Sequence, residues 1–274
     1  MKLSYGIPLI DNLSLEELEH YLALLQEIGY EGVECSVCRA ADLPKEAIRE
    51  LLDKYSLRFS GFRSGAVYDR TGVRFSSPDP AVRQKAVEMI NQVVDLCAYF
   101  DCPLLLGRVQ GLLEDGEDLV QAKEWIKDCI RQVARHAGET GVPIAYEPIN
   151  RFEMNYNHTT KEMVAYIQEI NAPLSHKVGL LMDVYHMAME DNSIAAAFVR
   201  SIPYIVHVHF RDSNNGVPGS GTIDFADAVK VLDAMEYKGW IALEVAFDFC
   251  DYEKGARDSM AYLAPLIAAA QQCR

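Results

Sequence analysis

Apolar, strand-like runs alternate with amphipathic segments along the whole chain. The runs recur eight times, and helix-period segments such as LSLEELEHYLALLQEIG lie between them. Strands and helices at this spacing form parallel βαβ units with right-handed crossovers. Eight units in 274 residues predict an α/β fold, a (β/α)₈ TIM barrel, with residues 1–274 as a single domain. The predicted strands cover residues 2–8, 32–37, 58–64, 103–109, 143–149, 178–186, 205–211 and 240–247.

An open, doubly wound sheet is the alternative that uses the same βαβ units. Such sheets often carry a glycine-rich GxGxxG turn after the first strand, where a dinucleotide binds. The sequence that follows the first apolar run, PLIDNLS, has no such turn. The closed barrel is therefore favoured.

Charge and cysteine usage exclude several classes of function. The chain carries 26 basic and 40 acidic residues, a net charge of −14, which argues against binding to nucleic-acid phosphates. It has no apolar stretch of about 20 residues and no signal-peptide pattern, so we expect neither a membrane span nor secretion. The odd, scattered cysteines predict reduced thiols and a cytoplasmic location. These cysteines are Cys35, Cys38, Cys97, Cys102, Cys129, Cys250 and Cys273.

Polar side chains lie at the ends of the last four predicted strands. In barrels of this type the chemistry lies at the carboxyl ends of the strands. Glu147, Asp183, His209 and Glu244 come from four successive strands and are 36, 26 and 35 residues apart, each about one βα unit. We therefore expect these four side chains to meet at the barrel mouth.

Three carboxylates that meet in one place repel one another and resist ionisation. A divalent cation removes this conflict, and carboxylate oxygens with one imidazole suit Mn²⁺, Mg²⁺, Co²⁺ or Zn²⁺. A single glutamate or histidine at a strand end is more often an ion-pair or core residue. Four such residues on four consecutive strands instead predict a metal centre.

The motifs EPINRFE, MDVYHM, HVHFRDSN, PGSGTIDF and ALEV resemble the sugar isomerase/epimerase group that has a xylose isomerase-like TIM barrel. Within this group the chain is similar to the D-tagatose 3-epimerase-like ketose 3-epimerases. The motifs lie within residues 140–250, whereas the first half of the chain resembles the family only in architecture.

The resemblance implies one divalent metal ion, with Mn²⁺ preferred and Co²⁺, Mg²⁺ or Zn²⁺ as alternatives. Its ligands are then Glu147, Asp183, His209 and Glu244. Glu147 and Glu244 are also implied as the acid/base pair on opposite faces of the substrate. The resemblance further implies a homo-oligomer, a dimer or a tetramer.

Substrate contacts are implied for His186 and Glu153, which match family positions that hold the carbonyl and hydroxyl end of the sugar. The chain departs from the family at Asn215, where an arginine is common, and at Thr222, where a histidine is common. Asn215 is also a substrate-binding candidate, although it cannot hold a distal sugar oxygen as an arginine does. Arg211 is a candidate to supply the missing cation from another direction.

These observations predict a metal-dependent sugar isomerase/epimerase, specifically a ketose or keto-acid sugar 3-epimerase. Its reaction removes a proton next to a carbonyl and passes through a metal-stabilised enediolate. The alternative is a dehydratase or lyase of the same barrel superfamily, of the keto-inositol or dehydroshikimate type. An endonuclease of this superfamily is disfavoured, because its three-metal site needs more histidines.

The charge of the substrate stays open at this point. Arg63, Arg108, Arg151 and Arg211 all fall near strand ends, where they either pair with the carboxylates or bind an anionic group of the substrate. We favour a sugar without phosphate. Three aromatic residues either cover the apolar face of the sugar or pack in the core: Tyr68, Phe75 and Phe247.

Overall fold

The computed structural model describes residues 1–272 and confirms the (β/α)₈ barrel. Eight parallel strands close into a barrel in the order β1 to β8, and β8 pairs with β1. Residues 273–274, and with them Cys273, lie outside the described part of the chain. The strands are β1 Lys2–Ile7, β2 Gly32–Ser36, β3 Arg58–Arg63, β4 Leu104–Leu106, β5 Ile144–Tyr146, β6 Val178–Asp183, β7 Ile205–Phe210 and β8 Trp240–Leu243.

Ten α-helices surround the barrel in the described residues. A Ser-x-x-Glu capping box starts the first of them, where Ser14 and Glu17 each bond the backbone N–H of the other. Gly29, with a φ of 101°, ends the same helix in a left-handed turn. The helices are α1 Leu15–Ile28, α2 Lys45–Lys54, α3 Gly65–Thr71, α4 Pro80–Phe100, α5 Leu119–Thr140, α6 Thr160–Asn171, α7 Val184–Glu190, α8 Ile194–Ser201, α9 Phe225–Ala234 and α10 Tyr252–Gln272.

The predicted sixth strand is too long by three residues. β6 ends at Asp183, whose carboxylate accepts a hydrogen bond from the backbone N–H of Tyr185 at 2.8 Å and caps α7. His186 therefore lies on a short helix instead of a strand. β5 likewise ends at Tyr146, so Glu147 opens the following loop. Both functional candidates lie just past the strands that position them.

Two irregularities in strand pairing occur beside buried polar residues. The β2–β3 register shifts between Val33 and Glu34, and the β6–β7 register shifts at Leu180/Leu181, opposite Val206. Bulges of this kind re-aim the side chains that follow them and are common next to active sites. The second shift pairs His209 with Asp183, which brings these two candidates to the same height in the barrel.

The apolar core lies mainly between the strands and the surrounding helices. Phe59 and Phe62 of β3 pack against Phe100 of α4, with their ring centroids 5.0 and 5.8 Å from that of Phe100. Inside the barrel, Leu105, Ala145 and Leu181 form a small separate cluster. The apolar filling of the barrel is thus limited, and buried polar side chains occupy part of its interior.

Six of the seven cysteines and all ten named helices lie in the described part of the chain. The six cysteines among residues 1–272 are free thiols, and the Cys35–Cys38 pair belongs to neither group of potential metal ligands in this range. Within the same range, no helix combines the length and the apolar character needed to cross a membrane.

Gly179 of β6 offers a test of how tightly the strands pack. A Cβ atom at this position would lie 2.4 Å from the carbonyl oxygen of Tyr204 and 2.5 Å from Cγ2 of Val206. We expect Gly179→Ala to lower the free energy of unfolding by about 1–3 kcal/mol, because the backbone must move to make room. Urea unfolding measures this change.

Gly65→Ala is the matched control for this measurement. A Cβ at Gly65 would meet its nearest neighbours at 3.7 Å, an ordinary contact distance. We expect this variant to be at least as stable as wild type. Equal stability of the Gly179→Ala protein would show that the β6–β7 junction has room for a methyl group.

Candidate metal centre

The structure brings the four predicted metal ligands together at the carboxyl end of the barrel. Donor atoms of Glu147, Asp183, His209 and Glu244 all lie within 4.8 Å of one another. His209 and Asp183 are fully or almost fully buried, and the two glutamates are partly exposed to the mouth. Each residue stands at or just after the end of one of the strands β5 to β8.

This arrangement fits a divalent cation. Ligand atoms about 2.1 Å from a common ion are at most about 4.2 Å apart, so the four donors need to close by only a few tenths of an ångström. Within the described residues, the buried Nδ1 atom of His209 has no hydrogen-bond partner, although it lies 3.1 Å from Oε2 of Glu244. A bound ion provides the partner that this nitrogen lacks.

Two arginines reach into the cluster from other strands. Arg63, at the end of β3, bonds Oε1 of Glu244 through Nη1. Arg211, just after β7, donates from Nη2 to Oδ2 of Asp183 at 3.0 Å and lies 3.8 Å from Glu244. These guanidinium groups neutralise part of the negative charge of the three carboxylates. This is one of the two roles that the sequence allows for arginines near the strand ends.

The two glutamates of the cluster have pKa values that are shifted in opposite directions. Burial and the neighbouring charge of Glu244 raise the pKa of Glu147 well above its usual range. Burial alone would also raise the pKa of Glu244, but the charges of Arg63 and Arg211 overcome this effect and hold it well below the usual range. Without a bound ion, the pair therefore favours one protonated and one ionised carboxyl group.

His186 is held in one tautomer by Asn150. The Asn150 amide donates from Nδ2 to Nδ1 of His186 at 2.7 Å. Its orientation is fixed because Oδ1 accepts from the N–H of Phe152 and Nδ2 also donates to Glu153. Burial lowers the pKa of His186, so the ring is neutral and carries its proton on Nε2. This nitrogen lies 3.6 Å from Oε1 of Glu147 and faces the cluster.

Arg211 and Asn215 contact each other beside His186. Nη1 of Arg211 donates to Oδ1 of Asn215 at 2.9 Å, and Nη2 lies 3.1 Å from Nε2 of His186. The guanidinium also stacks over the ring of Tyr185, 4.3 Å from its centroid. Asn215 has a φ of 63°, a left-handed conformation that asparagine adopts more readily than most residues. Asn215 thus orients Arg211 toward the cluster.

A cavity of about 370 Å³ opens from the cluster toward the first strands of the barrel. Glu147, Glu244 and Arg63 form its polar floor, and the half-exposed Phe247 is part of its wall. Tyr68 lies beneath Arg108, which pairs with Asp69 and stands 3.8 Å from Glu153. The cavity lining therefore combines carboxylates, arginines and apolar surface.

Two residues considered in the sequence analysis lie away from the cluster. Phe75 is completely buried and packs in the core, so it cannot cover a substrate. Arg151 forms a forked ion pair with Glu190 on α7, with Nη2 2.7 Å from Oε2, and does not contact the metal-ligand candidates. Its charge is used to hold the loop after β5 against that helix.

Glu34 in the middle of β2 was not singled out in the sequence. It is completely buried, and its Oε2 accepts from Nε2 of His207 at 2.8 Å and Nε2 of His209 at 3.1 Å. Burial alone would raise its pKa, but the contacts with His209 and His207 lower it to about 2. Glu34 could have been identified from the sequence as a lone glutamate in the apolar run GVECSV, because Glu244 in ALEV has the same setting.

Comparison with known proteins assigns this chain to a family. The model of the family described as "Xylose isomerase-like TIM barrel" matches residues 22–266. An L-ribulose 3-epimerase of Mesorhizobium japonicum is 30% identical over 235 residues, which are 83% of this chain and 75% of that protein. A 3-dehydro-D-guloside 4-epimerase of Escherichia coli is 32% identical over 141 residues, 52% of this chain and 53% of that protein.

A crystal structure of D-allulose 3-epimerase from Methylomonas sp., in complex with D-allulose, has a similar fold. Its TM-score is 0.83 at 21% sequence identity, with 96% of this chain and 97% of that chain covered. At this level of identity the similarity supports the barrel architecture.

Metal binding is expected to stabilise the folded chain. At a free Mn²⁺ concentration about 100 times Kd, a single site that forms only in the folded state adds about 2.7 kcal/mol to the free energy of unfolding. Asp183→Asn should lose most of this gain, because the amide can still cap α7 but brings no charge to the cluster. Thermal unfolding of chelator-treated protein, with and without Mn²⁺, measures the difference.

Asp191→Asn is the control for the Asp183 variant, because Asp191 is a largely buried carboxylate that pairs with Thr160 and Arg200 outside the cluster. It should respond to Mn²⁺ as wild type does. An unfolding temperature of the wild-type protein that does not change with Mn²⁺, Co²⁺ or Mg²⁺ would contradict the assignment.

Proposed function

Because this chain belongs to the xylose isomerase-like TIM barrel family, we propose that it is a metal-dependent sugar epimerase, specifically a 3-epimerase of ketoses or keto-acid sugars. The observation that carries the proposal is the convergence of Glu147 from β5 and Glu244 from β8 on the same cluster as Asp183 and His209. Epimerisation next to a carbonyl needs two proton-transfer groups and a way to stabilise charge on oxygen.

The two glutamates supply the proton-transfer groups. They come from strands on either side of β6 and β7, a placement that suits one base and one acid on opposite faces of the substrate. One removes the proton from the stereogenic carbon, and the other returns a proton to the opposite face. When bound, the divalent ion would supply Lewis-acid stabilisation of the charge that develops on the substrate oxygens.

His186, Arg211 and Glu153 are proposed to hold the substrate. Nε2 of His186 carries a proton and lies 3.1 Å from Nη2 of Arg211, also a donor. Two donors at this distance repel each other unless one acceptor takes a hydrogen bond from both, and a sugar carbonyl or hydroxyl oxygen is such an acceptor. Glu153, held by Asn150 at 3.0 Å, offers a carboxylate for a neighbouring hydroxyl.

The substrate is proposed to be a free ketose or keto-acid sugar without phosphate. The named L-ribulose 3-epimerase supports a 3-epimerase, and the named 3-dehydro-D-guloside 4-epimerase supports a second candidate, inversion next to the carbonyl of a 3-keto glycoside. Both reactions begin with removal of a proton next to a carbonyl, so the same residues serve either. The dehydratase alternative draws no support from the relatives named above.

Three further features are proposed from the chemistry and the resemblance. Mn²⁺ is the preferred ion, since carboxylate oxygens with one imidazole suit it well. The chain acts in the cytoplasm, which keeps its free cysteines reduced. It assembles as a homo-oligomer, a dimer or a tetramer. An activity panel of ketoses, keto-acid sugars, 3-keto glycosides and sugar phosphates with Mn²⁺ distinguishes the candidate substrates.

Replacing either Glu147 or Glu244 by glutamine should abolish most of the activity. Glutamine keeps the size and an oxygen of the side chain but cannot act as a base, which costs on the order of 10²–10⁴ in kcat. In D₂O the wild-type enzyme should place deuterium on the carbon that inverts, whereas each variant should lose exchange or keep it on one face only. Mass spectrometry and NMR of recovered substrate and product read this out.

Glu124→Gln on α5 is the control, because Glu124 pairs with Lys127 on the outer surface of the barrel. It should keep the wild-type rate. The two-carboxylate mechanism is wrong if both Glu147→Gln and Glu244→Gln also keep near-wild-type rates.

Arg211→Lys should impair catalysis even though it preserves the positive charge. Lysine cannot bond Asn215 and Asp183 at the same time as it faces His186, so it offers fewer and less directed hydrogen bonds. The loss of a hydrogen bond from a charged group, about 1.5–3 kcal/mol, predicts a fall of kcat/KM by about tenfold to a hundredfold. Arg151→Lys, which alters only the pair with Glu190, should stay close to wild type. Equal kinetics for the two variants would exclude Arg211 from the substrate site.

A further inference from the structure

Glu34 of β2 makes its closest contact with His207 of β7, across the interior of the barrel. It stands in the middle of β2, directly after the register shift with β3, and its carboxylate meets side chains of β7. The separation in sequence is 173 residues to His207 and 175 residues to His209. Its side chain is 1% exposed, so its carboxyl group is held by neighbouring side chains and not by solvent.

The two nitrogens of the His209 ring face different partners. Nε2 lies 3.0 Å from Oε1 and 3.1 Å from Oε2 of Glu34, whereas Nδ1 lies 3.1 Å from Oε2 of Glu244 in the cluster. A histidine that binds a metal through one nitrogen keeps its proton on the other. The Glu34 carboxylate can only accept a hydrogen bond, so it holds that proton on Nε2 and leaves the lone pair of Nδ1 free.

The Glu34 carboxylate is itself fixed from two further directions. Nε2 of His207 donates to Oε2 at 2.8 Å, and Nε of Arg63 stands 3.3 Å from Oε1. Both contacts restrain the rotation of the carboxylate, and the guanidinium balances its charge. A carboxylate fixed in this way also fixes the plane of the His209 ring.

Glu34, His207 and His209 also have donor atoms close enough together for a second metal ion. Two observations argue against this reading. The contacts between the rings and Oε2 of Glu34, 2.8 and 3.1 Å, are accounted for by Nε2–H hydrogen bonds. The guanidinium of Arg63, 3.3 Å from the same carboxylate, would repel a divalent cation at this position.

We propose that Glu34 is a positioning residue that holds His209 with its proton on Nε2 and its Nδ1 directed at the metal centre. The inference rests on the proposed metal-dependent function and adds to it a residue that touches neither the ion nor the substrate. Glu34 acts through His209, and its effect falls on the affinity for the ion.

Glu34→Gln tests the proposal through metal binding. Glutamine has nearly the same size, but it carries no charge and presents a donor as well as an acceptor to the two rings. Loss of a hydrogen-bonding partner of this kind typically weakens metal affinity by about 10–100-fold. We expect this increase in the Kd for Mn²⁺ by calorimetry, with one ion per chain in the wild-type protein.

Glu190→Gln is the matched control, since Glu190 is another buried carboxylate with an arginine partner but has no contact with the ligands. It should bind Mn²⁺ with the wild-type Kd. An unchanged Kd in Glu34→Gln would overturn the role of Glu34 alone, and a wild-type chain that binds no ion would overturn the proposed function as well. Two ions per wild-type chain, one of them lost in Glu34→Gln, would mean that Glu34 is a ligand itself.

A spectroscopic measurement on the wild-type protein remains decisive if Glu34→Gln fails to fold. In ¹⁵N-labelled protein loaded with diamagnetic Zn²⁺, the ring nitrogens of His209 should appear as a protonated Nε2 and a metal-bound Nδ1. His207, identified by its substitution, should appear as a neutral ring protonated on Nε2. A His209 ring with its proton on Nδ1 would overturn the proposal.

Discussion

Negative charges that converge inside the barrel mouth are the constraint on which the rest of this structure depends. Glu34 and Asp183 are fully buried, and Glu147 and Glu244 are only partly exposed to the mouth, so unpaired carboxylates here are costly. Arg63 from β3 and Arg211 after β7 compensate these negative charges, and the imidazole of His209 lies among the carboxylates. The strand ends, the register shifts and the caps of the neighbouring loops all serve to bring these groups within hydrogen-bonding distance.

The sequence predicted the barrel and the four ligand candidates for the same physical reason. Parallel strands end at one face of the barrel, so a polar residue at each strand end needs only the correct spacing to meet the others. The predicted β6 was too long because Asp183 both ends the strand and caps α7, and hydrophobic periodicity does not reveal a helix cap. Glu34 was missed because its partners lie on a strand 173 residues further on, a relation that no local pattern contains.

Neighbouring side chains give His186 and His209 opposite hydrogen-bonding roles in the same site. Asn150 donates to Nδ1 of His186, so the proton lies on Nε2 and the ring faces the cluster as a donor. Glu34 accepts from Nε2 of His209, so the ring faces the cluster with a lone pair. The residue type alone gives neither role, because imidazole has both capacities and only the hydrogen-bonding partner decides between them.

The site is built from both halves of the chain, and this affects how the barrel folds. All four ligand candidates lie in the second half of the barrel, from β5 onward, whereas Glu34 and the balancing Arg63 come from β2 and β3. A half-barrel made of β5 to β8 would hold every ligand yet lack the carboxylate and the guanidinium that order them. Contacts over such sequence separations form late and slow the search for the native topology. The chain therefore completes its chemistry only when its first and last strands have joined, and the site is a property of the closed ring.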